Sequence, residues 1–155
     1  MNPAESLVES FGAAAWLLGT SPFFSETRIR DVSAYISDAL RIGQIVHSVG
    51  DDGIPNGLVI WAWAVESTIQ RLANEGTWPP QMHLSEWREG RKLLVLNIVA
   101  LRPNRLKDLL RGKYVRDFDA AEEVVWLDWS NADRRIRRRK MRSVKKKTSD
   151  VIHQT

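Results

Sequence analysis

The chain alternates between two hydrophobic rhythms. Leu7, Val8, Phe11, Ala14, Ala15 and Leu18 recur at helical spacing behind Asn2-Pro3, a helix-opening pair, and Gly19 ends that run. Thr20-Ser21-Pro22 is a turn or fresh cap, followed by the apolar pair Phe23-Phe24. Ile29, Val32, Ile36, Ala39, Leu40 and Gly43 mark one face of a second helix, which the pattern runs from about Glu26 to Val46. Val49 to Gly53 is a turn with two glycines, and Pro55-Asn56-Gly57 leads into a strand from Leu58 to Trp63. Val65, Ile69, Leu72 and Ala73 form the inner face of another helix, stopped by Gly76 and Pro79-Pro80.

The loudest hydrophobic signal is Leu93 to Leu101, a nine-residue run bounded by Gly90-Arg91-Lys92 and Arg102-Pro103-Asn104. A run this short and this apolar reads as a strand buried on both faces. Asn104 can cap a short helix carrying Leu106, Leu109 and Leu110, closed by Gly112. Val124 to Trp129 is a further strand, Ser130 to Asp133 a turn, and Arg134 onward a basic edge strand that frays. This order of elements predicts an α/β domain over residues 1–133, a single central mixed sheet flanked by helices, with residues 134–155 as a basic edge strand and tail.

Within the central strand one residue is out of character. Asn97 carries an amide among aliphatic neighbours, and a buried amide needs hydrogen-bond partners. Either backbone or a nearby loop satisfies it, or it delivers a polar group to the mouth of a site. Polarity alone favours the first.

Length and composition narrow the chemistry. The chain has 155 residues, 43% hydrophobic and 27% charged, enough for one domain with a core. It has no cysteine, so disulfides and thiolate metal sites are excluded. His47, His83 and His153 are too scattered for a metal-ligand spacing, so no metal and no permanently bound cofactor is expected. No glycine-rich phosphate loop or nucleophile elbow is present. The N-terminus lacks the pattern of a leader and no stretch has the length of a membrane span, so a cytoplasmic protein is expected. The seven tryptophans read as packing residues.

The net charge of +4 is unevenly spread. Residues 134–155 hold ten Lys/Arg and one acid, for +9, while residues 1–133 hold 13 bases and 18 acids, for −5. A solvated edge strand explains the basic run, and so does a polyanionic partner: nucleic acid through Arg134–Lys147, an anionic surface or an acidic protein. The absence of aromatic residues from the run argues against single-stranded nucleic acid. A homodimer is left open.

A longer pattern points further. Trp16-Leu17 and Ser21-Pro22, Gln44, Pro55 with Trp61-Ala62, Glu86-Trp87-Arg88-Glu89-Gly90, and an apolar strand holding Asn97 and Ala100 follow one another over residues 12 to about 111. In this order and spacing they resemble the toxin-activating lysine acyltransferases that accompany RTX toxins. The resemblance implies a GNAT-like acyltransferase fold and transfer of a fatty acyl group from acyl-carrier protein to an internal lysine of a protoxin. It implies substrate-binding positions at Ser21, Trp61 and Trp87. It also implies a catalytic histidine shortly after the Ser-Pro and an aspartate in the central strand, an arrangement suited to deprotonating a lysine amine.

Those two positions fall on Phe24 and Asn97. Phenylalanine cannot accept a proton, and asparagine keeps the shape of aspartate without its charge. The pair of replacements is coherent, since a carboxylate with no imidazole to orient would be only a desolvated charge. His47, His83, Glu66 and Asp128 are the candidates for a substitute base. Three functions remain open from the sequence: an acyltransferase working by positioning, a binding or regulatory protein on the same fold, and a nucleic-acid binder using the basic end.

Overall fold

The computed structural model describes residues 3–102, 120–131, 133 and 135–141. Its described residues form three α-helices and one five-stranded sheet. Helix α1 spans Pro3–Gly19 and α2 Ile29–Ile42; strands β1 and β2 span Ile45–Val49 and Pro55–Ala64; α3 spans Glu66–Glu75; and β3, β4 and β5 span Lys92–Ala100, Glu123–Leu127 and Ile136–Lys140. The strands lie in sequence order across the sheet. All neighbours are antiparallel except β3 and β4, which run parallel. This is the mixed α/β sheet that the sequence predicts. The short helix expected from Asn104 lies outside the described residues.

Alternation along β2 separates two apolar layers. Leu58, Ile60, Ala62 and Ala64 face a cluster containing Ala14, Leu17 and Leu18 of α1, Tyr35, Ile36 and Ala39 of α2, and Ile69 and Leu72 of α3. Val59 and Trp61 face the opposite way, with Val46, Leu93, Val95, Ala121 and Val124. All three described helices therefore contribute to one side of the sheet. Among the described residues no helix is long and apolar enough to cross a membrane.

The second helix ends earlier than the sequence pattern suggests. Gly43 adopts φ 75°, and its N–H bonds back to the carbonyls of Ala39 and Leu40. That left-handed cap favours glycine and terminates the helix. Ile45-Val46, read as the last turn of a helix, instead opens β1, where β-branched residues suit an edge strand. The far edge is β5, whose exposed Arg137-Arg138-Arg139-Lys140 discourage pairing with another sheet edge.

The Glu86-to-Gly90 segment is held by specific contacts. A short 3₁₀ turn covers Leu84–Trp87. The Glu86 carboxylate accepts two bonds from Arg71 Nη2, at 2.7 and 2.8 Å, and one from the His83 backbone N–H at 2.8 Å. Trp87 enters the core, 1% exposed. Gly90 then donates its N–H to the Trp63 carbonyl at 3.1 Å. A Cβ at Gly90 would stand 1.9 Å from the Ala64 carbonyl oxygen. Gly90→Ala is expected to destabilise the fold by about 3 kcal/mol or more, because backbone rather than a flexible side chain must move. Urea unfolding checks this, and an unchanged midpoint would refute the close approach.

Candidate active site

The site is built around an irregularity in β3. Leu58 to Ile60 pair with Val99 to Asn97, and Trp61 to Ala64 pair with Val95 to Lys92, so Leu96 is an extra residue opposite the Ile60–Trp61 step. Regular alternation would place Leu94 and Leu96 toward the helices and Asn97 away from them. The bulge places both Leu96 and Asn97 on the helix side, as bulges commonly do when they re-aim a side chain.

At the same point β3 and β4 part. Their parallel pairing covers Lys92–Val95 with Glu123–Trp126. Beyond Val95, β3 continues paired to β2 to Ala100, while β4 ends at Leu127. A cavity of about 550 Å³ occupies this fork at the carboxyl ends of the two parallel strands. That is where open α/β sheets leave room for ligands, and the volume suits a small-molecule site. Trp129 reaches across the fork, its indole N–H donating to the Leu96 carbonyl at 2.7 Å. It thereby supplies a donor to a bulge carbonyl that has no neighbouring strand on this side among the described residues.

The cavity brings together Ser21, Phe24 and Asn97. Ser21 and Phe24 arrive on the turn between α1 and α2, where the N–H groups of Phe24 and Ser25 both bond to the Ser21 carbonyl. Phe24 rests on Trp78, ring centroids 4.3 Å apart. Asn97 is 3% exposed. Its Oδ1 accepts from the Tyr35 hydroxyl at 2.6 Å and from the Trp78 indole N–H at 3.1 Å. Phe24 and Asn97 are thus joined through Trp78. Burial raises the Tyr35 pKa, which keeps that hydroxyl protonated and donating. The buried amide oxygen is satisfied by an α2 side chain and a loop side chain, not by backbone.

Trp61 and Trp87 do not line this cavity. Trp61, 3% exposed, belongs to the apolar layer on the far side of the sheet. Trp87 lies against Tyr35 and lines a separate cavity of about 360 Å³ beside α2 and the Trp78–Pro80 loop.

Of the four candidate replacement bases, only Asp128 reaches the fork. The Ser130 hydroxyl, 2.7 Å from its carboxylate, then the Ser130 N–H and Arg137 at 3.2 Å, hold its pKa below the ordinary carboxylate value, which makes it a poor base. His47 lies on the edge strand β1, with its pKa lowered by burial. His83 caps the 3₁₀ turn. Glu66, on α3, binds Lys92 and Arg138, and these partners with Gln70 depress its pKa strongly, Arg138 most. Among the described residues the fork holds no imidazole, and no group of three His, Asp or Glu could hold a metal ion.

Tyr35, Trp78 and Trp129 are site residues that residue-by-residue reading of the sequence passes over. Their aromatic bodies look like core. Only their polar atoms, which need partners when buried, hint at a role. Replacing Asn97 with leucine leaves the Tyr35 hydroxyl and Trp78 indole without an acceptor. Asn97→Leu should cost about 2 kcal/mol or more in the wild-type chain and less in a Tyr35→Phe background, where one of the two donors is already gone. Thermal melts of the two single variants and the double variant test this, and strictly additive losses would contradict the described network.

Two comparisons bear on this geometry. No match to a curated protein is found. The family model for the HlyC RTX toxin acyltransferase family matches residues 4–143, which takes in the helices, the whole sheet and the fork; the chain belongs to the RTX toxin acyltransferase family.

Proposed function

We propose that this protein takes a fatty-acyl thioester, delivered by acyl-carrier protein, in the fork between β3 and β4 and transfers the acyl group to a protein lysine without an enzyme-borne base. Family membership supports the reaction class. The observation that carries the base-free reading is the fork itself: a cavity of about 550 Å³ lined by both Phe24 and Asn97, with no imidazole among the described lining residues; the sequence resemblance is what assigns a histidine and an aspartate to those two positions. A mixed sheet with one parallel pair that opens at its carboxyl ends supports a GNAT-like arrangement.

In the proposed reaction the neutral lysine nitrogen bonds to the thioester carbonyl carbon, the C–S bond breaks, and an amide forms. The departing thiolate takes up a proton and the amine's extra proton goes to water. Positioning lowers the barrier by holding amine and carbonyl together. The missing base raises it, since a general base typically contributes about 10²–10⁴ in rate. Acyl-carrier proteins are acidic, and the exposed Arg139 and Lys140 on β5 offer complementary charge.

With no side-chain base, the rate follows the fraction of neutral lysine amine. A lysine pKa of about 10.4 then makes acylation climb about tenfold per pH unit between pH 7 and 9, with no plateau. Acyl-carrier protein charged with a fatty acid, a lysine-bearing protoxin fragment and mass spectrometry of the fragment measure this. A rate that levels off near neutral pH would reveal a working base. No acyl increment at any pH, with the acyl-carrier protein still bound, would leave a binding protein in place of an enzyme.

A further inference from the structure

Trp78 stands between two cavities. With Tyr35 it lines the one of about 360 Å³ beside α2, while the residues it contacts, Phe24 and Asn97, line the fork. The half-buried Trp78, Pro79 and Met82 give the second cavity an apolar wall. Helix α2 supplies two carboxylates, Asp31 and Asp38, two turns apart on one face. Asp31 lies in the first turn, where the helix dipole favours an acid, and is 3.8 Å from Arg30. Asp38 has neither support. It precedes the last turn, where the dipole favours cations, and among the described residues it forms no hydrogen bond or ion pair. It is a half-buried charge beside an apolar wall, without a countercharge.

We propose that this cavity takes a basic side chain of the protein substrate, from a residue near the lysine that is acylated. This rests on the reading of the fork as the acyl-transfer site. The methylene stem lies along Trp78, Pro79 and Met82, and the cationic head meets Asp38. Asp31, about 10 Å away along the helix, adds to the negative field rather than to the same contact. The acylated lysine is not the occupant, because its amine must reach the thioester in the fork, past Trp78. Ring centroids are 4.3 Å apart from Phe24 to Trp78 and 5.9 Å from Trp78 to Tyr35, a span that about three residues of extended chain cover. The cavity therefore selects substrates with lysine or arginine about three residues from the acylated position.

The test uses two capped peptides of glycine and serine with a central lysine. One carries arginine, the other glutamine, three residues to each side of it. Each is titrated without acyl donor into the isotope-labelled full chain, followed by the indole N–H signals in nuclear magnetic resonance. The arginine peptide should bind about fivefold to tenfold more tightly. Asp38→Asn should bring that ratio near one, and Asp31→Asn should lower it less. Glu9→Gln, which removes an exposed charge on α1, should leave it unchanged. Equal wild-type affinities, no binding of either peptide, or an equal loss in Glu9→Gln would overturn the assignment. Adding acyl-carrier protein charged with a fatty acid then separates the two readings. Acylation indifferent to the arginines removes the cavity's role and leaves the reaction standing. An arginine preference without acylation keeps the basic-peptide site and removes the reaction.

Discussion

The extra residue in β3 is the constraint on which the rest of the site depends. A strand with side-chain period two cannot put neighbouring residues on one face unless its ladder is broken. The break at Leu96 does two things at once. It turns Asn97 toward α2 and the Trp78 loop, and it leaves the Leu96 carbonyl open to Trp129 across the gap. Because β2 keeps strict alternation on its side of the pair, the irregularity is confined to the strand that borders the fork. Straightening β3 would move Asn97 into the opposite apolar layer and strand an amide there, so the bulge and the asparagine require each other.

The surroundings of Asn97 explain why it has company of a particular kind. Two donors converge on one oxygen, and both come from aromatic side chains whose rings are otherwise part of the helix-side core. Trp78 joins this polar contact to an apolar one, since the ring that lends its N–H to Asn97 also carries Phe24. An imidazole at residue 24 would meet the indole of Trp78, whose N–H already holds the Asn97 oxygen. Phe24 and Asn97 fit a wall held by ring contact and neutral hydrogen bonds, in which no ion has to be desolvated.

Much of the fold was legible because its strands are short apolar runs with sharp borders. Leu93–Leu101, Leu58–Trp63 and the basic strand after Arg134 all map onto strands. β1 was not legible, since Ile45 and Val46 continue the helical spacing of α2. Only the φ 75° cap at Gly43, a choice the spacing does not reveal, ends the helix before them. The bulge was hidden for a different reason. Where every neighbour is Leu, Ile or Val, nothing marks which face each residue takes. Asn97 could be singled out as polar, but its direction could not be read. The tryptophans were ambiguous in the same way: Trp61, Trp87 and Trp129 share a side chain, while their places are the far apolar layer, the core, and a bridge over the fork.

The basic end shows how far a charge count can mislead about available charge. Arg138 is not a solvated cation. It lies with Lys92 between the carboxylates of Glu66 and Glu123, four alternating charges that tie α3 to three strands at one end of the sheet. Such exposed networks contribute little stability per pair, but they set where the charges can go. Arg137 is likewise turned to Asp128 at the mouth of the fork. On β5 this leaves Arg139 and Lys140 as the exposed positions with no carboxylate contact among the described residues. A polyanion approaching this strand would have to compete with carboxylates already in place for the other two cations.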